Sequence, residues 1–261
     1  MEIRATSRTD LPAVNVFNRS GSSSIVLVCD HASNRMPLPY DQSLGISEAD
    51  KFAHIAWDPG ALGVSLELSR LLDAPLVAST VSRLIIDCNR DEAAVDLIPE
   101  ISETTVIPGN ANLSDIERQK RITLSHRPFH QAIEEVLDER AAKGQPTAVI
   151  SVHSFTPVYK GQQRPWEIGL ICGNDRSLID PVIDDLKSRT QFQVGDNEPY
   201  SPRDGVYYTL SRHGEKRGLR SLMIEIRNDE ISTPEMENRW GALLAPVLEK
   251  AVLSQNGRQH A

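Results

Sequence analysis

The chain has only three cysteines in 261 residues, Cys29, Cys88 and Cys172, an odd number and widely spaced. No C-x-x-C pair occurs, so the common thiolate zinc motifs are not expected. Two of the three sit inside apolar runs, which fits buried free thiols in a reducing compartment better than a disulfide framework. No apolar run approaches the ~20 residues that a membrane helix needs. The polar, acid-bearing residues 1–14 contain no signal-peptide core either, and a cytoplasmic location with no membrane partner is expected. Basic charge is in deficit: 28 Lys and Arg against 36 Asp and Glu give a formal charge of -8. With no basic stripe to neutralise phosphates, a nucleic-acid partner is not expected. Arg203, Arg212, Lys216, Arg217 and Arg220 form a local basic run that reads either as a solvated turn region or as recognition of an anionic substrate. The G-x-S-x-G elbow of many serine hydrolases is missing, as are internal repeats and low-complexity tracts.

Hydrophobic content of 39% and charged content of 25% are those of a globular protein. The length suits one α/β domain over residues 1–261. Within it, three apolar runs each end on a residue able to do metal chemistry. Residues 25–30 lead into His31, residues 148–152 into His153, and residues 219–224 into Glu225. Short β-branched runs of this kind predict buried strands of a mostly parallel sheet, and open α/β folds place ligands at the carboxyl ends of such strands.

Further strands are predicted at 75–79, 84–87 and 168–172. Helices are predicted from Asp58-Pro59 to Leu72 with Asp58 as cap, from a Ser114/Glu117 capping box to about Lys143 with a break at Pro128, from Asp180-Pro181, and over 234–253. Residues 207–213 are ambiguous, and the polar excursion over 92–112 has the make-up of a lid. Alternation of strand and helix patterns predicts a three-layer α/β/α sandwich with a mixed, mostly parallel sheet.

Two imidazoles and a carboxylate at one sheet edge are the minimum kit for a zinc-activated water and its base. Besides His31 and His153, a catalytic zinc needs a third protein ligand, and Asp58, His54 and Asn34 are the candidates. Asp58 is preferred, because an amide oxygen is a poor zinc ligand beside two imidazoles. Glu225 and Arg227 fall on one side of a strand by its period of two, offering a base and a cation for a developing oxyanion. Arg83, Asp87, Asn89 and Arg90 form a second constellation: amide and guanidinium donors suited to a free carboxylate, with Asp87 placed to orient one of them. His213 is a candidate substrate contact. His126 and His130 are helix neighbours on either side of Pro128, and His260 belongs to the tail.

Five segments, taken in order, carry a family resemblance: 28–34 (VCDHASN), 54–61 (HIAWDPGA), 82–90 (SRLIIDCNR), 153–157 (HSFTP) and 225–229 (EIRND). Spanning a motif-bearing core of about 25–230, they resemble the N-formylglutamate amidohydrolase family. The resemblance implies a phosphorylase/hydrolase-like fold shared with zinc carboxypeptidases and aspartoacylases. It further implies Zn²⁺ (one ion, with another divalent metal as the alternative) and a small anionic substrate, an N-acylated acidic amino acid.

His31 and His153 match the relatives' zinc-binding histidines, Glu225 their catalytic glutamate, and Asn89-Arg90 their carboxylate-binding pair. Asn34 departs from the pattern, since the relatives have a zinc-binding glutamate there. The expected reaction is hydrolysis of N-formyl-L-glutamate to formate and L-glutamate, with Arg227 or Arg83 steadying the oxyanion. Two alternatives stand beside it: hydrolysis of another N-acyl amino acid or short peptide, and non-catalytic binding of small anionic ligands.

Overall fold

The computed structural model describes residues 11–256; residues 1–10 and His260, read above from sequence, lie outside the described residues. A seven-stranded sheet is built from β1 (Val14–Phe17), β2 (Ile25–Cys29), β3 (Leu76–Ser79), β6 (Ala148–Phe155), β9 (Ile168–Ile171), β10 (Val194–Asp196) and β11 (Arg220–Arg227), in the order β1-β3-β2-β6-β11-β9-β10. Two small hairpins, β4 (Ile101–Ser102) with β5 (Thr105–Val106) and β7 (Val158–Tyr159) with β8 (Gln162–Gln163), stand apart from it.

The centre β3-β2-β6-β11 is parallel, whereas β1 and β9 join antiparallel. This is the mixed, largely parallel sheet expected from sequence. Its central strands are buried on both faces, so they read as unbroken apolar runs rather than as alternation.

The period-two rule nevertheless sorts their side chains. Ile25, Leu27 and Cys29 of β2 join Ile150, Val152, Leu222 and Ile224 on one face. There they pack with α3 (Ala61–Leu72), α6 (Ile179–Arg189) and α8 (Pro234–Asn256). Val26, Val28, Val149 and Met223 turn to the other face, against Phe129, Ile133, Val136 and Leu137 of α5 (Arg127–Ala142) and Leu210 of α7 (Tyr208–His213). Helices on both faces of one sheet complete the three layers. Among the described residues no helix is long and apolar enough to cross a membrane.

Several local expectations change. The predicted strand at 84–87 is irregular backbone. Leu84, Ile85 and Ile86 are fully buried, but in a satellite core with Tyr40 of α1 (Tyr40–Ser43), Ile55, Leu97, Ile107 and Ile122. Burial alone makes a run apolar, with or without a ladder partner.

Asp58 does not cap α3, whose N-cap is Gly60 in the left-handed region (φ 81°) with no side-chain cap bond. A Cβ on Gly60 would lie 2.3 Å from the Ile231 carbonyl oxygen, so glycine is required on both counts. On α3 the buried stripe is Ala61, Val64, Ser65, Leu68 and Ser69, whereas Leu66 is 38% exposed.

Ser47 caps α2 (Glu48–Phe52) with a reciprocal box to Asp50. Ser114 caps α4 (Asp115–Arg121) through the Glu117 N–H only, because the Glu117 carboxylate accepts instead from Tyr40 and Arg121. The break near Pro128 is a π-helical turn, Ile122–His126, joining α4 to α5. Residues 207–213 resolve as α7. Three members of the basic run serve packing: Arg212 pairs with Glu134, Arg217 with Asp138, and Arg220 donates to the Val252 carbonyl.

Candidate metal centre and its cleft

Because β2, β6 and β11 are adjacent and parallel, their carboxyl ends meet at one edge of the sheet. Glu225 stands in register with His153, and His31 follows β2 by two residues. The chain leaves β2 for β3 on one side, while β6 lies on the other, which is a topological switch point of the kind where α/β sheets open a crevice. Asp58 arrives from the turn before α3, where its backbone N–H donates to the His31 carbonyl (3.0 Å).

The Nδ1 atoms of His31 and His153 lie 3.3 and 2.8 Å from Asp58 Oδ2, and ligand atoms of the three residues all fall within 4.8 Å of one another. Each ring is held from behind by another carboxylate, His31 Nε2 by Asp87 Oδ1 at 2.7 Å and His153 Nε2 by Asp30 Oδ2 at 3.2 Å. All five side chains are buried. A neutral imidazole has one N–H, so a ring whose two nitrogens both face carboxylates needs a second positive partner, either a proton or a metal cation at Nδ1. Backing carboxylates on ligand imidazoles are the usual outer shell of a metal site.

Glu225 Oε2 makes no hydrogen bond among the described residues, and a buried carboxylate oxygen without a donor calls for a proton or a nearby cation. The donor set therefore fits a divalent metal held by His31, Asp58 and His153.

Electrostatics agree. Burial opposes charge on His153 and on His31, yet Asp30 and Asp58 push the first well above the ordinary imidazole value, and Asp87 and Asp58 raise the second. Burial likewise disfavours the charge of Asp58, but the two imidazoles hold it well below the carboxylate range; Arg83 and His31 do the same for Asp87. Glu225 behaves oppositely. Burial, with the Asp58 charge, pushes it up to about 7, where a carboxylate can take up and release a proton near neutrality.

Of the other two ligand candidates, Asn34 turns away and donates to the Lys51 carbonyl (2.9 Å). His54 stays in the cleft, with Nε2 2.6 Å from the Ser154 carbonyl and 3.5 Å from Asp58 Oδ1.

A cavity of about 610 Å³ opens over the cluster, lined by His31, Asp58, His153, Arg83, Asn89 and Arg90 among others. Arg83, 20% exposed, reaches Asp87 at 2.9 Å and Asp58 at 3.4 Å. Asn89 is more committed than its sequence position suggested: its amide donates to the Val206 carbonyl, and its oxygen accepts from the Thr209 N–H (3.0 Å). Arg90 is fastened by Asp96 at 2.7 Å and by its own neighbour's carbonyl.

Three expected site residues are not part of the cavity lining. Glu225 is buried on β11 in register with His153, whereas Arg227 clamps Asp229 (2.8 Å), Glu230 (3.1 Å) and the Pro165 and Trp166 carbonyls. His213, the last residue of α7, is fully buried, its Nε2 2.8 Å from His130 Nδ1. Sequence reasoning missed Asp30 as the carboxylate behind His153, and Arg164, Tyr159, Tyr200 and Glu103 as cleft residues. Asp30 is adjacent to His31 yet serves the other histidine, a pairing only the sheet creates.

Fold, cleft and donor set together support a metal-dependent amide hydrolase. The family model described as FGase, N-formylglutamate amidohydrolase, matches residues 23–232, and the chain belongs to that family. Among solved structures, the gene product Atu2144 from Agrobacterium tumefaciens is similar at 39% identity and a TM-score of 0.92, over 97% of this chain and 100% of that one. The N-formylglutamate amidohydrolase from Ralstonia eutropha JMP134, at 16% identity and a TM-score of 0.68 over 95% and 100% of the two chains, shares the fold. A search of curated sequences gives no significant match.

Proposed function

We propose that the protein is a zinc-dependent hydrolase that converts N-formyl-L-glutamate and water to formate and L-glutamate. The observation that carries this reading is the buried His31/Asp58/His153 cluster at the floor of an open cleft, with the unpartnered Glu225 carboxylate on the neighbouring strand. Membership of the N-formylglutamate amidohydrolase family supports a formyl substrate.

Zinc bound by these three side chains would lower the pKa of a water and polarise the formyl carbonyl. Glu225, held near neutrality by burial, takes the proton of the attacking water and delivers it to the leaving amine nitrogen as the C–N bond breaks. Arg83 is the cleft cation placed to steady the negative charge on the carbonyl oxygen, a role for which Arg227 is already committed elsewhere. Asn89 and Arg90 receive the α-carboxylate.

Formate release from N-formyl-L-glutamate, compared between zinc-loaded and chelator-stripped protein, tests this directly. Zinc-dependent release is the expected result. A protein that retains zinc yet releases no formate overturns the substrate, and one that binds no zinc overturns the mechanism.

A further inference from the structure

Arg164 follows the β7–β8 hairpin, is 8% exposed, and lines the same cavity as the metal cluster. Its guanidinium sits over the rings of Tyr159 and Tyr200, 4.4 and 4.7 Å from their centroids, and Nη1 donates to the Tyr200 hydroxyl (3.0 Å). The other cleft guanidinia are answered by acids: Arg83 by Asp58 and Asp87, Arg90 by Asp96. Arg164 has no carboxylate within 4.0 Å among the described residues.

Aromatic faces hold a cation without neutralising it, so the stack fixes the guanidinium plane and leaves it without a direct ion pair; the cleft carboxylate that feels its charge, Glu103, lies beyond 4.0 Å and faces His54 instead. A guanidinium has five N–H donors, and Tyr200 accepts from one nitrogen. None of the Arg164 nitrogens is sealed in protein without a partner, so the remaining donors reach the cleft. A nearly buried cation without an acid is costly unless an anion arrives to meet it. Tyr200 lines the same cavity as Arg83 and the His31/Asp58/His153 cluster, which puts the Arg164–Tyr200 pair in the cleft of the reacting centre.

We propose that Arg164, clamped between Tyr159 and Tyr200, is a specificity-determining residue that receives a second carboxylate, the one on the side chain of an N-acyl acidic amino acid. The catalytic half of this inference rests on the hydrolase reading above; the binding half does not. Bidentate pairing of a planar guanidinium with a carboxylate typically discriminates against a neutral amide by tenfold to a hundredfold, roughly.

The test pairs each acid with its neutral isostere. Zinc-loaded wild type, Arg164→Gln and Arg164→Lys are titrated calorimetrically with L-glutamate and with L-glutamine, and assayed with N-formyl-L-glutamate and N-formyl-L-glutamine. Wild type should favour the acid at least tenfold in both Kd and kcat/KM. Arg164→Gln should collapse that ratio towards one, and Arg164→Lys, which keeps the charge but not the planar fork, should restore part of it.

Absence of the preference in wild type, or its survival in Arg164→Gln, overturns the proposal. Should Arg164→Gln fail to fold, the wild-type ratio and Arg164→Lys decide. Binding preference that depends on Arg164 without any formate release keeps the subsite and rejects the hydrolase reading. Hydrolysis whose acid preference ignores Arg164 does the reverse.

Discussion

Glu225 and Asp58 are both fully enclosed carboxylates, yet their surroundings drive them in opposite directions. Asp58 meets two imidazoles and stays ionised, whereas burial pushes Glu225 up to about 7. Under the proposed mechanism Glu225 must be ionised to accept a proton. Turnover should therefore fall as pH drops below its value, about tenfold per unit, and metal binding should move the inflection lower because a nearby cation favours the carboxylate. A zinc-loaded protein whose profile shows no acid limb at all would contradict the assignment.

Glu225→Gln should lower kcat at least a hundredfold while zinc content stays near that of wild type; near-normal turnover would remove Glu225 from the base role. Asp58→Asn should act through the metal, weakening zinc retention after dialysis, which elemental analysis would read. Glu225 was legible because it follows an apolar run, and Asp58 because it stands before Pro59 at a predicted helix start. Asp30 was not, because its partner His153 lies 123 positions away and only strand adjacency joins them.

Among the elements, β9 shows how backbone closeness shapes the cleft. Gly169 is in register with Glu225, and a Cβ there would lie 1.9 Å from the Glu198 carbonyl oxygen. Gly169→Ala should force back the segment that carries Tyr200, with a stability cost of roughly 1–3 kcal/mol from overpacking and a raised KM; unchanged denaturation and kinetics would show that this loop is free to move.

The predicted strands 25–30 and 148–153 were readable because burial on both faces leaves a dense β-branched run. The same composition misled at 84–87, where the burial is in a satellite core and no strand lies alongside. The π turn Ile122–His126 had no sequence signal beyond Pro128. It delivers His126 to the Arg90 carbonyl at 2.8 Å, just as His130 meets the Cys88 carbonyl at 2.9 Å, so α5 and the turn before it brace the backbone on both sides of Asn89.

At the scale of the whole molecule, buried ionisable groups tie stability to pH and to metal. Burial holds His213 down to about 3 and His130 well below the ordinary imidazole value. Both stay neutral in the folded state, while the unfolded chain takes up their protons below about pH 6.5. Their contribution is thus complete above that pH and is lost as pH falls from 6.5 towards the folded values. For His213 the loss by pH 5 should be on the order of 2 kcal/mol. Denaturant titrations at pH 7 and pH 5 should therefore show a smaller pH-dependent loss in His213→Asn than in wild type.

Zinc that binds the folded chain and not the unfolded one should raise Tm, by an amount that grows with its free concentration. Asp58→Asn should show little of that rise in a thermal melt, and an equal rise in wild type and variant would place the metal elsewhere.

By itself the sequence determined the layered α/β architecture, the strand-end positions of His31, His153 and Glu225, and the family. Those features follow from local burial, chain punctuation and ordered motifs, all of which are written in neighbouring residues. The tertiary structure alone decided that Asp58 rather than Asn34 faces the two imidazoles, that Asp30 and Asp87 stand behind them, that Arg227 and His213 are spent on packing, and that Arg164 reaches the cleft without an acid. Each of these is a contact between distant segments, set by strand order and loop path, and no single stretch of chain encodes it.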